Sequence, residues 1–439
     1  LSDHPGPDGN TPGATAATGV SPAESAQPGA APPARLHARG GLRDALAVLK
    51  LRDFQFLLIG NTMTFAGFQV RQMAIAWLVL EETDSSLKAG IVNAMPGIAI
   101  ISASLLAGAV SDRSERWRLI FITRLFTTAL LALSAVLVMT DVIKWWHFIP
   151  IGVGIGLSFA FHNPSSQTYA MDVVGRERLM NAAALNTSIS NLANIAAPAV
   201  GGYLLAIGNV WAFWLLVALY GTSFLAILPI AKRTTSVPNP RGIVSDIRAG
   251  LKYVNETPAI KWLLVLGAGS IFSGVFLAMV PVFARSVFKV GESGYGQLLL
   301  VQGAGALAGS LALAGLGQVR RKGLLVLGNT IATAVATAVF AVSPSFGIAL
   351  GAMFVTGVSQ SITFITVPTV IQTRSTPEMR GRVMGIFFMV VLVFQLGWIF
   401  GGVLDTTIGS RETVMVGAMG SFALAVFAFA ASPALRKLT

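Results

Sequence analysis

The residues able to do chemistry deep inside this chain are few. Three ionisable side chains, Arg71, Arg124 and His162, lie within long apolar runs, with the amides Asn61, Gln69, Gln72, Asn163, Asn186, Asn191, Asn194, Gln302, Gln360 and Gln395. An ionisable group at that depth is costly unless it faces a polar interior, so each marks a candidate site. Arg71, beyond the middle of the first run, can attract an anion or serve as a structural cation bonded to carbonyls or amides. Arg124, about two turns from a span end, can snorkel to the surface or pair with Asp112 or Asp172. His162 can carry a proton near neutral pH or remain a neutral hydrogen-bonding group. The candidate substrate or proton site therefore comprises Arg71, Gln69, His162, Asn163, Arg124, Asn194, Gln302, Gln360 and Gln395.

The 19 acids are placed differently. Asp3, Asp8, Glu24 and Asp44 precede residue 50, and every other acid except Asp405 sits in a loop or at a span end. No Ser, His and acid grouping and no paired carboxylates converge at one depth, so an enzyme is not expected. The chain has no cysteine, which excludes a thiolate nucleophile, a disulfide and a cysteine-ligated metal. It also lacks a Gly-rich loop ending in Gly-Lys-Ser or Gly-Lys-Thr, so it has no nucleotide-hydrolysing engine of its own. No cofactor or metal site is expected.

The elements that must position these residues follow from hydropathy. Charged residues are 11% of the chain and apolar residues 54%, too little charge for a water-soluble globule of 439 residues. Apolar runs fall at 54–80, 89–110, 119–140, 146–170, 180–207 and 210–230, and after a polar break at 260–284, 296–317, 324–343, 346–371, 383–404 and 413–432. Each is long enough to cross about 30 Å of hydrocarbon as a helix. Continuously apolar stretches such as 422–431 argue against the alternating strands of a barrel. The fold class expected is an all-α membrane protein of twelve transmembrane helices.

The charge pattern orients these spans. Of the 31 Lys and Arg, only Lys88, Lys144, Arg285, Lys289 and Arg411 fall in loops opposite the termini, and Arg71 and Arg124 lie within spans. Positive residues accumulate on the cytoplasmic side, which puts both termini there. The net charge of +12 is dispersed in short clusters and forms no continuous basic face, so nucleic acid is not expected as a partner. Residues 1–34 are rich in Pro, Gly, Ala, Ser and Thr and read as disordered, with no signal-peptide pattern. Ile243, Ile247, Leu251 and Val254 recur at helical spacing in the polar break, which reads as a linker with an amphipathic surface helix. The domain expectation is a disordered cytoplasmic segment over 1–50, one six-helix bundle over 51–231, the linker over 232–258, a second bundle over 259–434 and a cytoplasmic tail over 435–439.

The two bundles share an ordered set of short matches. Gln167-Thr168, Arg176-Glu177-Arg178, Met180, Gly201-Gly202 and Ile207-Gly208 in the first correspond to Gln372-Thr373, Arg380-Gly381-Arg382, Met384, Gly401-Gly402 and Ile408-Gly409 in the second. Such duplication is the mark of membrane proteins whose halves rock about a shared central site.

Two motifs sharpen the reading. The loop after the second span runs Gly108-Ala-Val-Ser-Asp112-Arg113-Ser-Glu115-Arg116-Trp117-Arg118. Span five contains Ala197-Pro198-Ala-Val-Gly201-Gly202, where proline removes one helix hydrogen bond and small residues admit a close neighbour. The first resembles the signature loop of the major facilitator superfamily, with Glu115 in place of a later glycine; Val319 stands where Asp112 would be in the second half. The second resembles the superfamily's exporter motif, with Ala in place of its leading glycine. Arg71-Gln-Met-Ala-Ile-Ala-Trp77-Leu-Val-Leu, Glu82-Thr-Asp-Ser-Ser, Asp246-Ile-Arg-Ala-Gly-Leu-Lys-Tyr-Val and Arg380-Gly-Arg-Val-Met are similar to the branch of enterobactin exporters and macrolide efflux permeases.

The resemblance implies the major facilitator fold in a bacterial inner membrane. It implies a monomeric secondary active exporter of a small amphipathic molecule, drug-like or siderophore, moved by rocker-switch alternating access with a proton as coupling ion. Gly108, Asp112, Arg113 and Arg116 would form the gating motif and Ala197, Pro198, Gly201 and Gly202 the seal. Helices one, four, seven and ten would line the cavity, making Phe65, Phe159, Phe161, Phe272, Phe276 and Phe364 candidates for its aromatic wall. A lysophospholipid flippase of the same fold, admitting membrane lipid between helices, is the main rival; a membrane-embedded enzyme is a remote one.

Overall fold

The computed structural model describes residues 48–175, 178–230, 243–316 and 321–436. All lie in one compact unit that begins at Leu42. Val48–Lys50 form a short 3-10 turn with Val48 fully buried in the first half, so the disorder expected over 1–50 does not extend to its end. The rest of that segment, the first part of the linker and the end of the tail fall outside the described residues.

Among the described residues the secondary structure is helical throughout. The first half contains α1 (Arg52–Thr83), α2 (Ser86–Arg113), α3 (Arg116–Met139), α4 (Phe148–Val174), α5 (Leu179–Ile207) and α6 (Asn209–Leu225). A connecting helix follows, α7 (Ile243–Glu256). The second half contains α8 (Pro258–Ala268), α9 (Ser270–Val282), α10 (Gly291–Gly315), α11 (Lys322–Val342), α12 (Phe346–Arg374), α13 (Pro377–Val391), α14 (Phe394–Ile408) and α15 (Ser410–Ala431), closed by the turn α16 (Pro433–Arg436). In hydrocarbon every backbone polar group must be satisfied within its own segment, which is why apolar runs of this length become helices. Nine helical stretches among the described residues are long and apolar enough to cross a bilayer, with α8–α9 and α13–α14 each counted as one. Helices α4, α5 and α6 occupy the remaining expected positions.

Two expected spans are broken. Gly269 separates α8 from α9, and Leu392-Val393 separates α13 from α14, each with the hydrogen bonding tightened to a three-residue step. The breaks face each other, since the Ser270 hydroxyl donates to the Val391 carbonyl at 3.3 Å. A hydroxyl satisfying a freed carbonyl is how irregular backbone survives inside a membrane protein.

The halves meet through α5 on α10 and α2 on α14, with α9 also reaching α1 and α2. These contacts obey the internal repeat. A Cβ on Gly202 of α5 would lie 2.6 Å from the Gly296 Cα of α10, and one on Gly402 of α14 would lie 2.5 Å from the Leu87 Cα of α2. Only glycine allows backbones that close.

The apolar core shows at which end the halves join. One cluster mixes residues of both halves, including Val70, Trp77, Phe276, Tyr295 and Trp398, and lies towards the end opposite the termini. At the end that carries the termini the core splits. Phe54, Trp117, Tyr169 and Ile227 form a first-half cluster, and Ile260, Val326, Ile371 and Leu435 a second-half cluster. Leu435 is fully buried there, so the packing of the second half runs past residue 434. Helix α7 lies against α13, where its Tyr253 hydroxyl accepts from the Thr376 amide at 3.3 Å. Leu251 remains exposed on its outer face, as an amphipathic surface helix requires.

Replacing Gly202 with Leu should hold the joined end apart. Because the chain has no cysteine, Ser86→Cys is a single reporter at a buried position of that seam. A membrane-impermeant maleimide should label it slowly in the otherwise wild-type chain and rapidly beside Gly202→Leu. Equal labelling rates would disprove the seal.

Candidate functional site

The joined end is closed by contacts from both halves. Helix α9 passes at its end into a π-helical segment, Phe283–Val287, whose wider turn presents Arg285 to the first half. There its guanidinium donates to the Leu80 carbonyl and pairs with the Asp84 carboxylate at 3.0 Å. Asp84 has φ 47°, the left-handed cap that ends α1. Beneath this pair Trp77 stacks on Tyr295 across the seam with ring centroids 5.9 Å apart. Asp84 is largely exposed, so its ion pair contributes little alone. The dry aromatic and glycine packing below it closes the end.

The exporter-like motif belongs to the same seam. Ala197 and Pro198 are buried, a Cβ on Gly201 would meet Val70 of α1, and Gly202 meets α10. Of the gating-loop residues, Gly108, Asp112 and Arg113 lie outside the described side chains. Arg116 is described, and it pairs with Asp172 at the end of α4 at 2.6 Å, tying the loop to its own half. Glu115 pairs with Arg118 at 2.6 Å, giving the departure from the superfamily glycine a local ionic partner.

The candidate polar residues divide between two cavities, one in each half. Arg71, Arg124 and His162, read from three separate spans, line one small first-half pocket of about 30 Å³ with Thr64, Phe68, Tyr220 and others. Arg124 neither snorkels nor pairs with Asp172, whose partner is Arg116. It is buried, donating to the Ser223 carbonyl at 2.8 Å and to the Asn61 side-chain oxygen at 2.9 Å. Asn61 also accepts from Ser166 at 3.2 Å, which fixes its orientation. The Thr123 hydroxyl lies 3.5 Å from His162 Nδ1. Arg71 is 2% exposed and has the Phe68 ring 5.4 Å from its guanidinium carbon.

The second-half cavity is larger, about 320 Å³, and carries no charge. Gln302, Gln360 and Gln395 line it with Phe272, Phe276, Phe364, Phe387 and Phe394. Three of the six aromatic candidates, Phe272, Phe276 and Phe364, therefore share this wall. Phe159 lines the first-half pocket, whereas Phe65 is exposed and Phe161 packs on Ala103, Ala107 and Ala160. Gln69 is half-buried outside both cavities, and Asn163 is exposed, accepting from Gln167 at 3.1 Å. Asn194 lies outside the described side chains. Asp405, the one acid of uncertain depth, is at the end of α14, where it accepts from Ser410.

Sequence reasoning missed Tyr220 and the threonines of the second cavity. Thr330, Thr333 and Thr337 recur three and four residues apart, one face of α11, a signal that was legible. Tyr220 is brought to the pocket by packing on Gly67, which no local pattern announces.

Two helical halves joined at one end, each with a cavity, fit a multi-pass membrane transporter of the major facilitator fold. The chain belongs to the family described as transmembrane secretion effector, matched over residues 43–437. Among curated proteins it is 26% identical over 387 residues to the multidrug efflux pump Tap of Mycolicibacterium fortuitum, covering 85% of this chain and 94% of Tap. It is 25% identical over 357 residues to the enterobactin exporter EntS of Shigella dysenteriae serotype 1, covering 78% of this chain and 82% of EntS. Among solved structures, a bacterial homologue of the human lysosomal transporter Spinster, inward-facing and unoccupied, aligns with TM-score 0.68 at 15% identity over 88% of this chain and 97% of that one. The nucleoside transporter NupG aligns with TM-score 0.65 at 16% identity over 85% and 98%. These likenesses concern the fold. Nothing in the family or the fold relatives points to an enzyme.

Substituting Asn61 by Leu leaves one Arg124 N–H and the Ser166 hydroxyl without their acceptor. The loss should cost about 1–3 kcal/mol, read as a lower thermal-unfolding midpoint in detergent. An unchanged midpoint would show that Arg124 is held by other groups.

Proposed function

We propose that this chain is a secondary active exporter of a small amphipathic molecule, of drug or siderophore size. Its halves rock about the central cavities so that cargo taken from the cytoplasm is released outside. The observation that carries the reading is the pairing of a sealed end, built on the exporter-like motif, with cores that separate at the other. That arrangement suits a permease waiting for cargo on the side of its termini, which the charge bias places in the cytoplasm of the inner membrane. The export function of Tap and EntS supports the same direction of transport.

The neutral second-half cavity, with its aromatic wall and amide and hydroxyl lining, fits an uncharged or weakly polar body. The coupling ion in this reading is a proton. No carboxylate lines either cavity among the described residues, and His162 shares its pocket with two arginines, so neither cavity supplies an evident proton carrier. Asp112 with Arg113 steadies the outward-open state by latching the loop after α2. The protein works as a monomer in lipid, without a cofactor.

Efflux from proteoliposomes over a panel of macrolides, siderophores and lysolipids, with and without an imposed pH gradient, tests the proposal. Gradient-dependent efflux of an amphipathic solute is expected. Movement of lysolipid alone would turn the reading towards a flippase, and hydrolysis without flux would end it. Asp112→Asn should abolish export with normal membrane insertion, and wild-type rates would remove the latch. Phe272→Ala together with Gln302→Leu should raise the half-saturating cargo concentration several-fold; no change would take the second-half cavity out of the cargo path.

A further inference from the structure

The first-half pocket holds more positive charge than its surroundings balance. Arg71 is almost fully buried, yet among the described residues nothing accepts a hydrogen bond from it, and its Nε is sealed from solvent without a partner. Its recorded neighbours are the face of Phe68, which offers no acceptor, and Tyr220, which interacts with it electrostatically without a hydrogen bond. Arg124, on the same pocket, is a second buried cation whose Nε also lacks a partner. The pocket lining contains no acid. Nor does the sequence supply one from the interior of any neighbouring helix: between Asp53 and Glu81, Asp84 and Asp112, Glu115 and Asp141, Asp141 and Asp172, and Glu177 and Asp246 there is none. A desolvated guanidinium without a counter-charge is strongly unfavourable, and its planar fork of donors is shaped for a bidentate anion.

We propose that Arg71 is the receptor for one carboxylate-sized anionic group, with Arg124 as the second cation of that site. The size follows from the pocket. Its volume of about 30 Å³ has room for about two waters or for one small planar anionic group. Hydroxyls of Thr64, Ser158 and Tyr220 on the lining supply neutral donors around it.

The pocket adjoins the neutral cavity across one helix contact. Pro96 of α2 lines the first, the next residue, Gly97, abuts the Gln395 side chain, and Gln395 lines the second. An amphipathic acid thus finds a charged subsite and an aromatic one on either side of the α2–α14 seam. This specificity rests on the export reading, because an anion at Arg71 is a cargo group only if cargo enters. The same chemistry can come from a free inorganic anion such as chloride.

Thermal unfolding of the purified full chain in detergent separates these cases. Sodium benzoate, sodium chloride and the neutral isostere benzyl alcohol are titrated at constant ionic strength into wild type, Arg71→Gln and Arg71→Lys. A saturable rise of the midpoint with benzoate is expected in wild type, weaker in Arg71→Lys, lost in Arg71→Gln and absent with benzyl alcohol. Benzoate acting without chloride assigns the site to the carboxylate of an organic acid; chloride acting equally and competing with benzoate assigns it to a free anion. The proposal falls if benzyl alcohol reproduces the shift, if Arg71→Gln keeps it, or if neither anion gives a saturable response. Should Arg71→Gln fail to fold, the wild-type contrast of benzoate with benzyl alcohol and the weakening in Arg71→Lys still decide. Binding is read without transport, so anion binding by a protein that moves nothing would sink the export reading and spare this one.

Discussion

The close approach of backbones at two symmetry-related places, Gly202 against Gly296 and Gly402 against Leu87, is the constraint on which the rest depends. Inside a bilayer, lipid tails are as apolar as the side chains they would replace, so helices adhere by packing and hydrogen bonding and not by exclusion of water. Packing is strongest where no side chain intervenes. The chain places its glycine pairs at such points on α5 and α14, and those helices form the principal joints between the halves. A joint made of small residues is tight when closed and carries no bond that must be broken when it opens. That property suits the alternating access proposed for this chain.

From that seam the polarity of the interior follows. Near the joined end the core is shared and dry, sealed by Trp77 on Tyr295 and capped by Arg285 reaching Leu80 and Asp84. Towards the other end each half has its own core, and each half encloses its own cavity. The two halves are alike in topology and unlike in chemistry. The first carries two buried cations, Arg124 held by one amide and one carbonyl and Arg71 with no acceptor among the described residues; the second carries glutamines, threonines and phenylalanines and no charge. The cavities of the two halves therefore differ in what they offer, charge in the first and neutral polar and aromatic groups in the second.

Helices α8–α9 and α13–α14 interrupt beside the neutral cavity, and the Ser270 hydroxyl on the Val391 carbonyl links the two interruptions. A helix broken at the depth of a cavity exposes backbone acceptors that a continuous helix would hide, and it gives the segment a place to bend. The first half has prolines within α2, α4 and α5 but no equivalent break among the described residues.

Much of this was readable in the sequence, for a definite reason. Bilayer thickness converts apolar run length into helices, loop charge suggests their orientation, and a repeat such as Gly201-Gly202 with Gly401-Gly402 announces paired joints before any contact is seen. Arg71, Arg124 and His162 stood out because an ionisable side chain in an apolar run is costly wherever it sits. What the sequence by itself could not determine was who meets whom. Arg124 was free to choose among Asp112, Asp172 and the surface, and only the fold, by bringing Asn61 and the Ser223 carbonyl to it, settled the partner. The same holds for the gathering of three basic groups from α1, α3 and α4 into one pocket, for the division of the glutamines into another, and for the helix breaks at Gly269 and Leu392. Those outcomes depend on contacts between residues far apart in the chain, and side-chain periodicity carries no information about which neighbour a helix face will meet.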